Sequence, residues 1–127
     1  MEWIKQVCSL ELAQRLEELG AEQRSVCWWV RDRHAGSPWQ LVFVGLTARP
    51  PDFDAIAAFT VAELGELLMQ TGLYSGYSEE DSGWYCQSSI HFKYDITEEA
   101  TEADARAKML IYLLRDELVE PPVAQRA

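Results

Sequence analysis

Two adjacent tryptophans, Trp28 and Trp29, place the strongest constraint on how this chain can fold. They lie in the β-branched and aromatic run 25–30. A similar run follows at 39–46, and the polar stretch 31–38 between the two predicts a β-hairpin loop. Because successive side chains of a strand point to opposite faces, both faces of this hairpin carry large apolar groups. Each face must therefore be buried by another part of the chain or by a partner.

Three segments carry the start and stop signals of helices: 9–19, 60–71 and 101–119. The second has the most specific signal, a capping box in which the Thr60 hydroxyl accepts a bond from the Glu63 amide and the Glu63 carboxylate reaches back. A glycine follows each of the first two segments, and two prolines follow the third, as is typical of helix ends. These signals predict three helices.

A further strand is predicted at 84–94, where apolar and polar side chains alternate in part. The stretches 47–54 and 73–83 predict loops. The order helix, strand, strand, helix, strand, helix predicts an α+β fold, with a small, mainly antiparallel sheet of about three or more strands packed by three helices. We expect one domain over residues 1–120 and a frayed tail over 121–127.

Acidic residues outnumber basic ones, and the excess lies in the second half of the chain. The formal net charge is −10: residues 1–59 carry eight acids and six bases, and residues 60–127 carry thirteen acids and five bases. An acidic field repels phosphate backbones, so we expect no direct binding of nucleic acid. The same field attracts a basic partner, such as a nucleic-acid-binding protein, although net charge also serves solubility.

Cysteine usage and hydropathy point to a cytoplasmic protein. The three cysteines, Cys8, Cys27 and Cys86, are too widely spaced for a zinc knuckle or a redox motif. Reduced, packed thiols are typical of a reducing compartment. No run approaches the roughly 18 apolar residues of a membrane span, and the start lacks the pattern of a signal peptide. We therefore expect no membrane association.

The sequence shows no catalytic or metal-binding signature. His34 lies in the hairpin loop, and His91 lies on the polar face of the predicted strand 84–94. An odd spacing places Cys86 on the opposite face, which excludes a Cys86–His91 dyad within a regular strand. Neither zinc-ligand spacing nor a phosphate-binding glycine loop occurs. We predict that the protein is not an enzyme and has no catalytic residue, cofactor or metal.

Two groups of side chains are candidates for binding. The first combines carboxylates with aromatic rings that favour interfaces. Its members are Glu79, Glu80, Asp81, Glu98, Glu99, Glu102, Tyr74, Tyr77 and Trp84. The second group is a pair of guanidiniums on the last helix, Arg106 and Arg115, which are candidate anion ligands. Such arginines are more often salt-bridged than ligand-binding.

Three segments resemble a family of small uncharacterised phage and prophage proteins. They are SLELAQRLEELG at 9–20, AFTVAELGELL at 58–68 and EADARAKMLIYLL at 102–114, of which the last is the most specific. The family has no assigned activity, so no functional residue is carried over. The resemblance implies a context, namely a virus or mobile element in a bacterial cytoplasm.

These observations leave three functions open. The first is an accessory phage protein that acts by binding, in its sharpest form a counter-defence inhibitor whose acidic half mimics nucleic acid on a basic host protein. The second is a small-molecule sponge, with aromatic rings stacking a nucleotide signal and Arg106 or Arg115 holding its phosphate. The third is a homo-oligomeric structural domain, since a symmetric dimer is the simplest cover for the second face of the Trp28–Trp29 hairpin. Mimicry needs acids along one exposed ridge, whereas a sponge needs a pocket with aromatic rings and an arginine.

Overall fold

The structure is a computed structural model that describes residues 3–33, 36–44 and 49–119. The fold is α+β, as predicted. The helices are α1 (Leu10–Glu18), α2 (Val61–Leu67) and α3 (Glu102–Arg115), with short 3₁₀ turns at Trp3–Lys5 and Met69–Thr71. The strands are β1 (Cys27–Asp32), β2 (Gln40–Phe43), β3 (Phe53–Ala57), β4 (Leu73–Ser78), β5 (Gly83–Ser88) and β6 (Asp95–Glu99). The predictions for His34, for the end of the run 39–46, for residues 47 and 48 and for the tail 121–127 fall outside the described residues.

The strands form two three-stranded antiparallel sheets, where the sequence predicted one small sheet. The first sheet has the order β2-β1-β3 and the second has the order β4-β5-β6. The predicted hairpin is confirmed as β1 and β2, with Trp28 opposite Val42 and Trp29 opposite Leu41. The Trp28 side chain is fully buried, whereas Trp29, on the other face, is only partly buried.

The prediction of a loop at 47–54 is wrong for its last two residues, which are part of a strand. Phe53 and Asp54 begin β3, where they pair with Asp32 and Arg31 along the second edge of β1. The two prolines that suggested a loop come just before the strand, where no ladder bond needs their missing amides. The first sheet therefore gains its third strand from a segment that has no strand pattern of its own.

The prediction of a loop at 73–83 is also wrong, because its first half is β4, which forms a hairpin with β5. Gly76, in the middle of β4, lies opposite Tyr85. A Cβ on Gly76 would lie 2.8 Å from the Tyr85 hydroxyl oxygen, so the tyrosine side chain occupies the space that the glycine leaves. An aromatic side chain that covers a glycine on a neighbouring strand restores packing that the glycine lacks.

The predicted strand 84–94 ends at Ser88. The Ser88 hydroxyl oxygen accepts bonds from the amides of Ile90 and His91, at 3.2 and 3.0 Å, and its hydroxyl donates to the Thr71 carbonyl. Such side-chain bonds compete with the ladder and turn the chain. Because the strand ends before His91, strand alternation does not exclude a Cys86–His91 dyad.

Helix α3 forms the centre of the core. It packs against α1, α2 and all three strands of the second sheet. Contact on several sides explains why its buried residues surround the helix instead of forming one stripe. They are Ala103, Ala105, Ala107, Met109, Leu110, Ile111, Leu113 and Leu114.

The predicted helix starts are confirmed, and one of them also fixes the first sheet. Glu63 completes the capping box, accepting the Thr60 amide at 2.9 Å. Its carboxylate also accepts the Ser25 hydroxyl at 2.7 Å and the Val26 amide at 3.1 Å. One carboxylate thus joins the start of α2 to the entry of β1.

We expect Glu63→Ala to lower the free energy of unfolding by about 3 kcal/mol, because it removes three charge-assisted bonds. Their donors are the Ser25 hydroxyl and the amides of Val26 and Thr60. Urea denaturation measures the change. Glu66→Ala, at an exposed position of the same helix, is the matched control, and we expect it to stay within about 0.5 kcal/mol of the original protein. Equal effects of the two substitutions would contradict the role given to Glu63.

Candidate functional site

Four of the predicted acids belong to one end of the second sheet. Glu79, Glu80 and Asp81 form the exposed turn between β4 and β5. Glu98, also exposed, lies beside the base of that turn, because a Cβ on Gly83 would be only 2.6 Å from the Glu98 Cα. We call these four residues the acidic end.

The approach of Glu98 depends on a local irregularity of β6. Glu98 has a positive φ of 62°, and the pairing of β5 with β6 shifts its register between Trp84 and Cys86. An extra residue in one strand bends it and redirects side chains. Gly83 leaves the backbone space that this bulge occupies.

The remaining predicted acids, Glu99 and Glu102, are engaged in ion pairs. The Glu99 carboxylate lies 2.6 Å from the Lys108 ammonium, and this hydrogen bond raises the pKa of Lys108. The Glu102 carboxylate accepts the Ser75 hydroxyl at 2.7 Å and pairs with Arg106 at 3.3 Å. These two acids therefore connect α3 to the second sheet and are not part of the acidic end.

Arg106 connects three elements. Its guanidinium donates to the Val61 carbonyl at 2.8 Å, to the Ser75 hydroxyl at 3.2 Å and to Glu102. A Cβ on Gly65 would lie 2.6 Å from Arg106 Nη1, so that glycine gives the guanidinium room to cross α2. With its side chain 20% exposed, Arg106 ties α2 and β4 to α3. As an anion ligand it would have to give up these bonds.

Arg115 is more exposed but is already neutralised. Its Nε lies 2.9 Å from a carboxylate oxygen of Asp116, and its guanidinium lies over the Tyr112 ring at 4.8 Å from the centroid. Asp116 also accepts the Tyr94 hydroxyl. The bonds from Arg115 and Tyr94 hold the pKa of Asp116 well below its usual range. Asp116 thus already fills the position of an anion on Arg115.

The structure divides the predicted aromatic residues between the two faces of the second sheet. Tyr77 and Trp84 pair across β4 and β5, on the face that carries the buried Cys86, with their rings edge-on at 5.6 Å. Tyr77 remains 54% exposed next to the acidic turn. Tyr74 lies on the opposite face. Tyr77 and Trp84 therefore flank the acidic end, and Tyr74 does not.

The thiols are placed for packing. Cys8, Cys27 and Cys86 are buried, and burial raises the pKa of Cys8 and of Cys86 to about 12 and that of Cys27 to about 11. Because the thiolate is the reactive form, such thiols are poor nucleophiles near neutral pH. Over the described ranges, no group of three or more His, Cys, Asp or Glu side chains could hold a metal ion.

The second face of the first sheet is covered only in part, by the chain's own residues 3–8. The Trp29 indole donates to the Cys8 carbonyl at 3.1 Å, and the Trp3 ring meets the Phe43 ring at 5.2 Å. A set of three residues stays exposed at this place. It consists of Trp3 (51%), Ile4 (59%) and Phe43 (58%), and we call it the apolar patch. Sequence reasoning missed the contribution of Trp3 and Ile4, because a short 3₁₀ turn has no periodic pattern.

Comparison of this chain with protein-family models, with curated proteins and with solved structures finds no match. In the part of the chain that the structure describes, no helix is long and apolar enough to cross a membrane.

We expect no cysteine of the folded protein to react rapidly with a disulfide reagent at about pH 8, because burial keeps the thiols protonated and inaccessible. The absorbance of the released thiolate measures the reaction, and all three cysteines should react in guanidinium chloride. Rapid labelling of Cys86 in the folded state would contradict this assignment and restore the case for a reactive thiol.

Proposed function

We propose that this protein is a non-catalytic phage or prophage accessory protein that acts in the bacterial cytoplasm by binding a basic, nucleic-acid-binding host protein. The acidic end is its contact surface, and its sharpest role is that of a counter-defence inhibitor. The observation that carries the proposal is the meeting of Glu98 with the turn acids Glu79, Glu80 and Asp81, from separate strands, at one exposed end.

The electrostatics of the acidic end favour such a partner. Within the described ranges, no lysine or arginine forms an ion pair with its four carboxylates, unlike Glu99 and Glu102. Unpaired carboxylates gathered at one end attract cationic groups and speed their encounter. Tyr77 adds an exposed aromatic ring of the kind that anchors protein interfaces.

We expect a triple reversal, Glu79→Lys, Glu80→Lys and Asp81→Lys, to abolish capture of basic proteins. The immobilised protein is incubated with bacterial lysate at about 0.1 M and about 0.5 M salt, and bound proteins and small molecules are identified by mass spectrometry. The original protein should retain nucleic-acid-binding proteins at the lower salt and lose them at the higher.

The matched control reverses three exposed acids elsewhere, Glu11, Glu66 and Glu117, and changes the net charge equally. If both triple variants lose capture to the same extent, net charge alone explains binding and the acidic end is not the site. If neither loses capture, the proposal is wrong.

Self-association is a second candidate function, and the apolar patch is the observation that favours it. Its members are contributed by the first 3₁₀ turn and by β2. β2 lies at one edge of the first sheet. Contiguous exposed apolar groups of this kind mark interaction surfaces. Residues 3–8 bury only part of the second face of the first sheet. A symmetric dimer through this patch would bury the remaining exposed part.

We expect light scattering at micromolar protein to give twice the 14.5 kDa mass of one chain. Phe43→Glu should convert the protein to a monomer, because it places a charge in the apolar patch. Phe92→Glu is the matched control, since Phe92 is 81% exposed elsewhere, and it should leave the mass unchanged. A monomeric mass for the original protein would contradict self-association.

A nucleotide sponge built on Arg106 or Arg115 has less support. Glu102 and the Val61 carbonyl already hold the first guanidinium, and Asp116 holds the second. A ligand phosphate at either position would have to displace these partners.

A further inference from the structure

Strand β2 lies at one edge of the first sheet, and β1 is its only neighbouring strand among the described residues. The Val44 amide donates to the carbonyl of Val26, directly opposite, at 3.0 Å, so these two residues form a hydrogen-bonded pair. Hydrogen-bonded and non-hydrogen-bonded pairs alternate along an antiparallel ladder. The main-chain groups of Val42 therefore point to β1, whereas those of Leu41 and Phe43 point to the free edge.

The outward main-chain groups of Leu41 and Phe43 are unused in the described part of the chain. No backbone or side-chain group there forms a hydrogen bond with them. The Leu41 side chain packs against the small buried cluster of Val7, Cys27 and Ala58, which holds the strand in place. The edge therefore presents amides and carbonyls of two alternate residues on a strand that is already ordered.

The other sheet edges in the described ranges are protected in ways that β2 is not. On β3, the Gln23 side chain accepts the outward amide of Ala57 at 2.8 Å, and Asp54 adds a charge. β6 carries three acids and a shift of register. β4 is interrupted by Gly76 and leads into the acidic turn. Charges, bulges and covering groups keep an edge from pairing with another strand, and β2 has none of them.

The side chains and the charge of β2 favour a second copy of this chain as its partner. When two β2 strands pair in antiparallel fashion through their outward residues, Leu41 of each copy lies opposite Phe43 of the other. Val42 then lies opposite its own counterpart, so every directly opposed pair is apolar. Residues 39–44 carry no charge, so two chains of net charge −10 can meet there without like charges side by side.

We propose that two copies of this protein pair through their β2 edges, with Val42 at the two-fold axis, and form one continuous sheet in the order β3-β1-β2-β2-β1-β3. The proposal rests on the self-association described above as the second candidate function, and it assigns the geometry of that association. Each outward amide of Leu41 donates to the Phe43 carbonyl of the other copy, and each Phe43 amide donates to the Leu41 carbonyl. The Phe43 rings, with the Trp3 rings that they contact, lie on the same face of the joined sheet.

Disulfide trapping tests this pairing. Val42→Cys places two thiols opposite each other in a non-hydrogen-bonded pair, whose Cα atoms lie about 4.5 Å apart, within the range of a disulfide. We expect most of the oxidised variant to run as a covalent dimer on a non-reducing gel. The original protein should not, because Cys8, Cys27 and Cys86 are buried.

Gln40→Cys is the matched control, since Gln40 is an exposed residue of the same strand. In the proposed register the two copies of this residue are offset by about 14 Å along the strands, so the variant should not form a covalent dimer. A covalent dimer of Gln40→Cys and none of Val42→Cys would overturn the register.

Amide hydrogen exchange gives a second readout that needs no new cysteine. The Leu41 amide is bonded in the proposed dimer, so it should exchange at least about tenfold more slowly in the original protein than in the Phe43→Glu variant. The Val42 amide points to β1 and should be protected in both proteins.

The outcomes separate the pairing from self-association itself. A dimeric mass with neither a crosslink in Val42→Cys nor protection of the Leu41 amide would overturn the pairing and leave self-association standing. A monomeric mass for the original protein would overturn both.

Discussion

The burial of α3 is the constraint on which the rest of the structure depends. A three-stranded sheet with one covered face is near the lower limit of independent stability. Here α3 packs against the whole second sheet, and the same helix packs against α1 and α2. The buried Trp28 of the first sheet belongs to the same hydrophobic cluster as Met109 and Leu110 of α3. Two small sheets thus share one core.

Polar contacts orient the elements around that helix. Asp104, in the first turn of α3, accepts the Ser9 amide at 2.8 Å and so fixes the start of α1. Arg106 fixes α2 and β4, and Lys108 fixes β6 through Glu99. These three residues lie within one and a half turns of α3. Charged groups of this one helix therefore fix α1, α2, β4 and β6, whereas Glu63 of α2 fixes the entry of β1.

Local signals predicted the helices, whereas the missed strands depend on distant partners. Each hydroxyl cap, and the capping box that includes Glu63, can be recognised from four consecutive residues of the sequence. By contrast, β3 is a strand because β1 offers it an edge, and β4 tolerates Gly76 because Tyr85 covers it. In the sequence, a pair of prolines favours a loop before β3, and a glycine favours a loop where β4 lies.

The candidate sites were predicted to different degrees for the same reason. The turn acids were identified from sequence, but the bulge that brings Glu98 beside them was not visible there. The sequence also predicts the strand β2, but it does not indicate which residues of that strand turn their main-chain groups to a free edge. Only the pairing of β2 with β1 decides this.

The close approach of Gly83 to Glu98 has a consequence for how this surface can diverge among related chains. Any side chain at position 83 would meet the backbone of Glu98 at 2.6 Å. A substitution there can be inherited only together with a change that flattens β6, because backbone atoms cannot move aside as a flexible side chain can. Positions 83 and 98 should therefore co-vary, and descendants that lose the glycine should also lose the convergence of charge at this end.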